Sequence, residues 1–252
     1  MANSSLAGRV AVVTGASRGL GRAMALALAE AGADVALAAR SIVDLEETAH
    51  GIEAIGRRSL VVPTDISVYA QVESLVKRAV AELGGLHIVV NNSGIARVTP
   101  LAEMPPEEFD ATLRVNLVGV FNGCRAAAAH LIAQRAGKII NIASVLGQVG
   151  LPGYTAYAAS KGGVMGFTRA LAAEWARHNI QVNALAPGWF VTDMNAPAFA
   201  DPKIRERLLR DVPARRTGRP EEIGPLLVYL ASPASDFMTG QTVFLDGGQQ
   251  AT

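Results

Sequence analysis

The sequence predicts an α/β protein built on a doubly wound parallel sheet, and three observations carry that expectation. Short β-branched apolar runs alternate along the chain with Ala-rich stretches of helical period, the pattern of repeated strand–helix–strand units. The apolar runs lack polar alternation, as strands covered by helices on both faces do. The first run ends in a glycine-rich turn that leads at once into a helix. Strands are expected at residues 9–14, 34–39, 59–62, 86–91, 137–143, 180–186 and 242–245. Helices are expected near 20–31, 43–55, 68–83, 106–135, 154–178 and 221–230. Asp65 and Ser67 offer caps for the third helix, Gly84 and Gly85 end it, and Pro220 suits the first turn of the last. The stretch 189–219 is broken by Pro and Gly, holds a short helical piece at 202–210, and reads as a mobile lid over a cleft.

Composition bounds the class. The chain has 252 residues, half of them hydrophobic (50%), with 18% charged residues and a formal net charge of +1. That length suits one domain spanning residues 1–252, able to bury roughly three-quarters of its unfolded surface. The apolar fraction excludes disorder, and the near-zero charge argues against a nucleic-acid partner. A single cysteine, Cys124, excludes a disulfide framework and a multi-cysteine zinc site. His50, His87, His130 and His178 are scattered without metal-ligand spacing, so no metal is expected. No apolar run approaches the ~18 residues of a membrane span. The first residues lack the basic and apolar regions of a secretory signal, so no membrane association and a cytoplasmic location are expected.

The glycine turn is the first chemical signal. Thr14-Gly15-Ala16-Ser17-Arg18-Gly19-Leu20-Gly21 joins the first strand to the first helix. Gly15 allows the tight turn, Gly19 lets the backbone approach a pyrophosphate, and Gly21 lets helix and strand pack closely. Backbone N–H groups at the helix start, at Ser17, Gly19 and Leu20, then face an anion. Such a triplet is also simply a tight strand–helix turn, and its place at the first such junction is what favours a dinucleotide. A carboxylate ending the second strand would select NAD; here that strand ends Ala38-Ala39-Arg40. Arg40 and Arg18 instead offer two guanidinium groups to a 2′-phosphate, or are solvated surface arginines. The expected cofactor is NADP(H).

Of four tyrosines, only Tyr157 has a lysine four residues on, Lys161. That spacing puts both on one helix face. A free phenol titrates near 10, and a nearby ammonium would lower that value toward neutrality, fitting the pair for proton transfer to a carbonyl oxygen. The alternative is a packed tyrosine beside an exposed lysine. Ser144 follows the fifth strand, at the edge where parallel sheets bind ligands; its hydroxyl orients a carbonyl or caps a turn. Asn116 sits in the apolar run Arg114-Val115-Asn116-Leu117-Val118, where it must be paired, by structural bonds or by a functional water.

Taken in order, Thr14-Gly15-x-x-x-Gly19-x-Gly21, Asn91-Asn92-Ser93-Gly94, Asn116, Ser144, Tyr157-x-x-x-Lys161 and Pro187-Gly188 resemble the short-chain dehydrogenase/reductase family along essentially the whole chain. The resemblance implies a single-domain Rossmann fold of strand order 3-2-1-4-5-6-7. It implies NAD(P)(H)-dependent oxidation of alcohols or reduction of carbonyls. Tyr157 would be the acid or base, Lys161 would hold the nicotinamide ribose and lower the Tyr157 pKa, Ser144 would hold the substrate oxygen, and Asn116 would anchor a relay water. Asp65 and Ile66 would contact the adenine. Asn91, Ser93 and Gly94 would back the ribose, and Pro187, Gly188, Phe190 and Thr192 would seat the nicotinamide. Ser93 departs from the family's usual Ala. The resemblance also implies a homotetramer, with a dimer next, paired through small-residue faces at 126–129 and at Gly162, Gly163, Ala170, Ala172 and Ala173 and completed by the tail 243–248; the alternative is that these faces pack on the chain's own sheet.

Leu146, Val149, Tyr154 and the run from Trp189 through Asp193 and Met194 are expected to wall a mostly apolar pocket for a small-molecule ketone or alcohol. Within the family, the sequence resembles gluconate 5-dehydrogenase-like enzymes and, second, 3-oxoacyl-(acyl-carrier-protein) reductases. Only the second would have an acidic carrier protein as partner, met by basic residues near the site mouth; Arg135, Arg177 and His178 are the candidates. A sugar-nucleotide epimerase would have a different glycine spacing and a larger C-terminal region. A non-catalytic NADP(H) sensor would not need Asn116, Ser144, Tyr157 and Lys161 together.

Overall fold

A computed structural model describes residues 5–192 and 196–251. Among them, β1 (Val10–Thr14), β2 (Asp34–Ala39), β3 (Ser59–Pro63), β4 (Ile88–Asn91), β5 (Gly137–Ile142), β6 (Ile180–Pro187) and β7 (Thr242–Leu245) form one sheet. The order is β3-β2-β1-β4-β5-β6-β7 and every pairing is parallel. This is the expected fold, with strand ends shifted by a residue or two.

The strand alternation divides two apolar layers. Val10 and Val12 of β1 point into one, with α3 (Tyr69–Leu83), α5 (Gly119–Gln134) and α6 (Thr155–Trp175). Ala11 and Val13 point into the other, with α1 (Gly19–Glu30), α2 (Ile42–Ala54) and α9 (Gly224–Ala231). Coverage on both faces explains why these strands read as unbroken apolar runs.

Three local expectations are revised. Helix α3 starts at an uncapped Val68, while Asp65 accepts from Ser67 N–H (2.9 Å) and Ser67 Oγ (2.7 Å), so both residues shape the preceding turn. Gly84 does end α3, in the left-handed region at φ 91°. The expected helix 106–135 is interrupted: α4 (Pro106–Leu113) passes through a π-helical turn, Arg114–Val118, into α5. Such turns recur at functional sites, and Asn116 lies within this one. The whole helix Pro106–Gln134 is long and apolar enough to span a membrane. The expectation of no such segment is therefore corrected. Its buried stripe, Val120, Cys124, Ala127 and Leu131, packs on the sheet as a core helix does.

The stretch 189–219 holds α7 (Ala196–Ala200), which was not expected, and α8 (Pro202–Arg210). Asp201 caps α8 by accepting from Lys203 and Ile204 N–H. A parallel bridge between Phe190 and Gly218, with Gly218 N donating to Trp189 O (2.8 Å), pins the two ends of the stretch together.

Candidate active site

All the groups singled out by the glycine turn and the Tyr157–Lys161 pair gather at the C-terminal edge of the sheet, where ligands bind in open parallel sheets. Gly15 and Gly19 take φ of +67° and +54°, a region that favours glycine. A side chain on Gly21 would overlap the Gly15 carbonyl oxygen, so this glycine permits the close approach of helix and turn. The end of β4 braces the turn from beneath. Asn92 and Ser93 N–H donate to Thr14 Oγ1 (2.9 and 3.1 Å), and Asn92 Nδ2 donates to the carbonyls of Thr14 (2.9 Å) and Gly15 (3.2 Å). Arg18, extended at φ −161°, precedes α1, and Leu20 opens its first turn half-buried. A β-carbon on Gly19 would lie 3.3 Å from Thr192, so the chain after β6 passes over the turn. Backbone N–H groups at a helix start, with no side chains in the way, fit a dinucleotide pyrophosphate.

Arg40 is exposed after β2, next to the loop that follows β3. The Asp65 carboxyl there is held below its ordinary range by the hydroxyl and N–H of Ser67, with the Arg40 charge adding to that. Ile66 is buried; its carbonyl accepts from Asn122 Nδ2 (2.9 Å). An arginine in place of an acid at the end of β2 fits a 2′-phosphate.

The chemical groups lie on the other side of the turn. Tyr157 and Lys161 face the same way from the start of α6, with Lys161 Nζ 5.7 Å from the centroid of the Tyr157 ring. Ser144, at the start of the loop after β5, is buried, with its hydroxyl beside that of Tyr157. Lys161 Nζ donates to the carbonyl of Ile142 (2.7 Å). A β-carbon on Gly94 would lie 3.4 Å from Asn116 Oδ1 and 3.6 Å from Lys161 Nζ. Tyr154 meets the Tyr157 ring edge-on, centroids 6.2 Å apart.

The charge balance differs from the expectation. Burial pushes the Tyr157 phenol above its ordinary value, the Ser144 hydrogen bond pulls it partly back, and Tyr154 adds to the rise. Burial also lowers the Lys161 ammonium to about 8. The ammonium lies 5.7 Å from the ring centroid and donates to the Ile142 carbonyl. The arrangement presents a protonated phenol beside a serine hydroxyl at neutral pH.

A family model described as enoyl-(acyl carrier protein) reductase matches residues 15–250. The chain is 45% identical over 248 residues to 2-dehydro-3-deoxy-D-gluconate 5-dehydrogenase of Escherichia coli (strain K12), covering 97% of this chain and 96% of that protein. It is 41% identical over 239 residues to 3-oxoacyl-(acyl-carrier-protein) reductase FabG of Staphylococcus aureus (strain Mu50 / ATCC 700699), covering 94% and 96%. Its fold superposes with a TM-score of 0.95 on a gluconate 5-dehydrogenase from Burkholderia cenocepacia J2315 in complex with NADP and tartrate, at 40% identity and covering 100% of this chain and 98% of that one. The chain belongs to the short-chain dehydrogenase/reductase family. It is an oxidoreductase of that family.

Several site residues of this short-chain dehydrogenase/reductase are placed otherwise than expected. The Asn91 side chain turns into the core, where Nδ2 donates to Asn141 Oδ1 (2.9 Å) and lies 3.4 Å from Cys124 Sγ. Asn141 Nδ2 passes the chain on to Thr168 Oγ1 (3.0 Å). Asn91 therefore backs the site through its strand and not its side chain. The Asn116 side chain is structurally bonded: Oδ1 accepts from Ile95 N (2.8 Å), and Nδ2 donates to Ile95 O (2.9 Å) and Ser160 Oγ (3.0 Å). Leu146 is buried, its N–H donating to Ser144 Oγ (3.2 Å), so it supports the serine from behind. Trp189 packs edge-on against Phe199, beside Leu208, Leu209 and Val212. Phe190 is buried against Gly218. Gly188 N donates to Leu245 O (2.9 Å), and a side chain on Gly188 would strike Asp246, which locks the Pro187-Gly188 turn to the end of β7. Asp193 and Met194 lie outside the described residues.

Sequence reasoning missed Asn92 and Ser160 as working parts. Ser160 Oγ donates to the Tyr157 carbonyl (2.7 Å) while accepting from Asn116, and so ties α6 to the π turn. Its signal was the serine hydroxyl three residues after Tyr157, the spacing of back-bonding within a helix. Arg135 and Arg177 do meet, Arg135 Nη2 donating to Arg177 O (3.0 Å), with Arg177 Nε 3.2 Å from His178 Nε2. They lie just before β5 and β6, at the N-terminal edge of the sheet. That is the edge opposite this chain's own site, contrary to the expectation that they border its mouth.

Proposed function

We propose that this chain is an NADP(H)-dependent oxidoreductase that interconverts a small hydroxylated ketone and its secondary alcohol, with Tyr157 as the acid in reduction and the base in oxidation. The observation that carries this reading is the convergence of the Ser144 and Tyr157 hydroxyls at the end of the sheet that carries the glycine turn. Gly15, Gly19, Gly21, Arg18 and Arg40 would hold the cofactor, which when bound supplies the hydride. Ser144 donates a hydrogen bond to the substrate oxygen and stabilises charge developing there. The Tyr157 hydroxyl donates its proton to that oxygen. Burial keeps the phenol protonated until the transfer. Lys161, charged below about pH 8, would hold the cofactor ribose. Ser160 and Asn116 fix the start of α6 so that these groups keep their spacing.

The relatives named as acting on gluconate-type substrates, and the neighbour bound to NADP and tartrate, favour a polyhydroxy acid as substrate. The carrier-protein alternative is disfavoured by the position of Arg135 and Arg177 at the far edge. Residues 1–252 act as one domain, and 189–219 act as its lid, pinned at Phe190 and Gly218. The chain works in the cytoplasm as a homotetramer. Exposed Val118 and Phe121 on the long helix and exposed Ala129, Ala170 and Ala173 support that assembly, whereas Ala127 and Ala172 belong to the chain's own core. The test is Tyr157→Phe. It should bind NADPH as the parent does and lose about 10²–10⁴-fold in kcat with 5-keto-gluconate; an unchanged kcat would refute the role, and a protein inert toward every ketone in its parent form would point to the sensor reading.

A further inference from the structure

Next to the glycine turn lies a group of side chains that neither the catalytic site nor the apolar core accounts for. Arg22, on the first turns of α1, reaches across to α2. Its Nη1 and Nη2 pair with both Glu47 carboxylate oxygens at 2.8 and 2.9 Å. The same Nη2 donates to Ser17 O (2.8 Å) and lies 3.4 Å from Asp44 O. Its Nε donates to Thr48 Oγ1 (3.1 Å). The Thr48 hydroxyl, fully buried, lies 3.0 Å from Ala16 O and 3.2 Å from Asp44 O.

Two physical consequences follow. In a trans peptide the C=O and the next N–H point in opposite directions. Holding the Ala16 and Ser17 carbonyls toward α2 therefore turns the N–H groups of Ser17 and Arg18 to the other side of the turn. Secondly, Gly15 N (2.7 Å) and Ala16 N (3.3 Å) both donate to Ala38 O, two residues before Arg40. The turn is thus fastened to the chain on both sides of Arg40, to β2 before it and to the first turns of α2 after it. With Glu47 neutralising it, Arg22 is a brace and not a phosphate ligand.

We propose that Arg22, Glu47 and Thr48 are positioning residues that set the gap between residues 16–18 and Arg40, and that this gap is the 2′-phosphate pocket that makes the enzyme choose NADP(H) over NAD(H). The proposal rests on the NADP(H) reading above. It goes beyond the two expected phosphate-binding arginines by assigning selectivity to a clasp that touches no ligand.

The test measures binding of adenosine 2′,5′-bisphosphate and of AMP to the full-length protein by calorimetry, with the KM for NADPH and NADH alongside. The variants are Thr48→Val, Glu47→Ala and the conservative Thr48→Ser. Thr48→Val and Glu47→Ala should weaken the bisphosphate roughly tenfold while AMP stays within about twofold, and the KM for NADPH should rise without a matching rise for NADH. Thr48→Ser should restore the parent values. Equal weakening of both nucleotides, or no change in either, would overturn the proposal and leave the clasp as a fastening between helices. Should Thr48→Val not fold by circular dichroism, Glu47→Ala decides alone, since the Glu47 side chain is 68% exposed. A parent protein that binds the bisphosphate no better than AMP would instead refute the NADP(H) reading.

Discussion

Replacing Lys161 with methionine should change the pH dependence of stability by a calculable amount. Lys161 is 3% exposed and its ammonium is lowered from 10.5 to about 8 by burial alone. A group whose folded value is depressed binds fewer protons in the native state than in the unfolded one between those two values. Stability then rises with pH across that window, at up to ~1.4 kcal/mol per pH unit. At pH 7 the charged amine costs the fold about 3 kcal/mol relative to its neutral form, and the cost fades as pH climbs from 8 toward 10.5. Methionine removes the charge but leaves the Ile142 carbonyl without its donor, which costs ~1–3 kcal/mol and does not vary with pH. The gap between parent and variant should therefore move by about 2 kcal/mol in favour of the parent between pH 7 and pH 10. Urea unfolding at a fixed protomer concentration, at each pH, reads this directly, and titrating groups remote from Lys161 cancel in the difference. A gap that stays constant over that range would show that Lys161 is not desolvated as the structure places it.

Arg40→Ala should raise the KM for NADPH by about 10–100-fold, the loss of one charge-assisted bond, and leave that for NADH nearly unchanged; equal shifts in steady-state assays would contradict the 2′-phosphate role. Asn116→Ala removes three hydrogen bonds and strands the backbone of Ile95, so urea unfolding should show a loss of ~2–4 kcal/mol; a loss below 0.5 kcal/mol would not fit. The Cys124 thiol is buried and pushed up to about 12, so iodoacetamide at pH 8 should leave the native protein unlabelled and modify one thiol per chain only after unfolding.

The fold was legible because its cause is local and repeated. Strands such as Val10–Thr14 are made of apolar residues on both faces and are buried on both, as strands of a parallel sheet covered by helices on both sides are. The glycine turn was legible for a similar reason: Gly15, Gly19 and Gly21 stand where the backbone needs positive φ or close contact. The spacing of Tyr157 and Lys161 placed both on one helix face. What those groups do to each other was not legible. The phenol rises because burial at the sheet edge outweighs the pull of Ser144, and the lysine bonds to Ile142, nineteen residues away in sequence. Burial and the choice of hydrogen-bond partner depend on elements distant in the chain. The same holds for Asn91, turned inward by its strand register onto Asn141 and Cys124. Residue type and spacing determined which groups stand where a nucleotide and a carbonyl would bind; the packing of helices on the sheet decided their protonation and their partners.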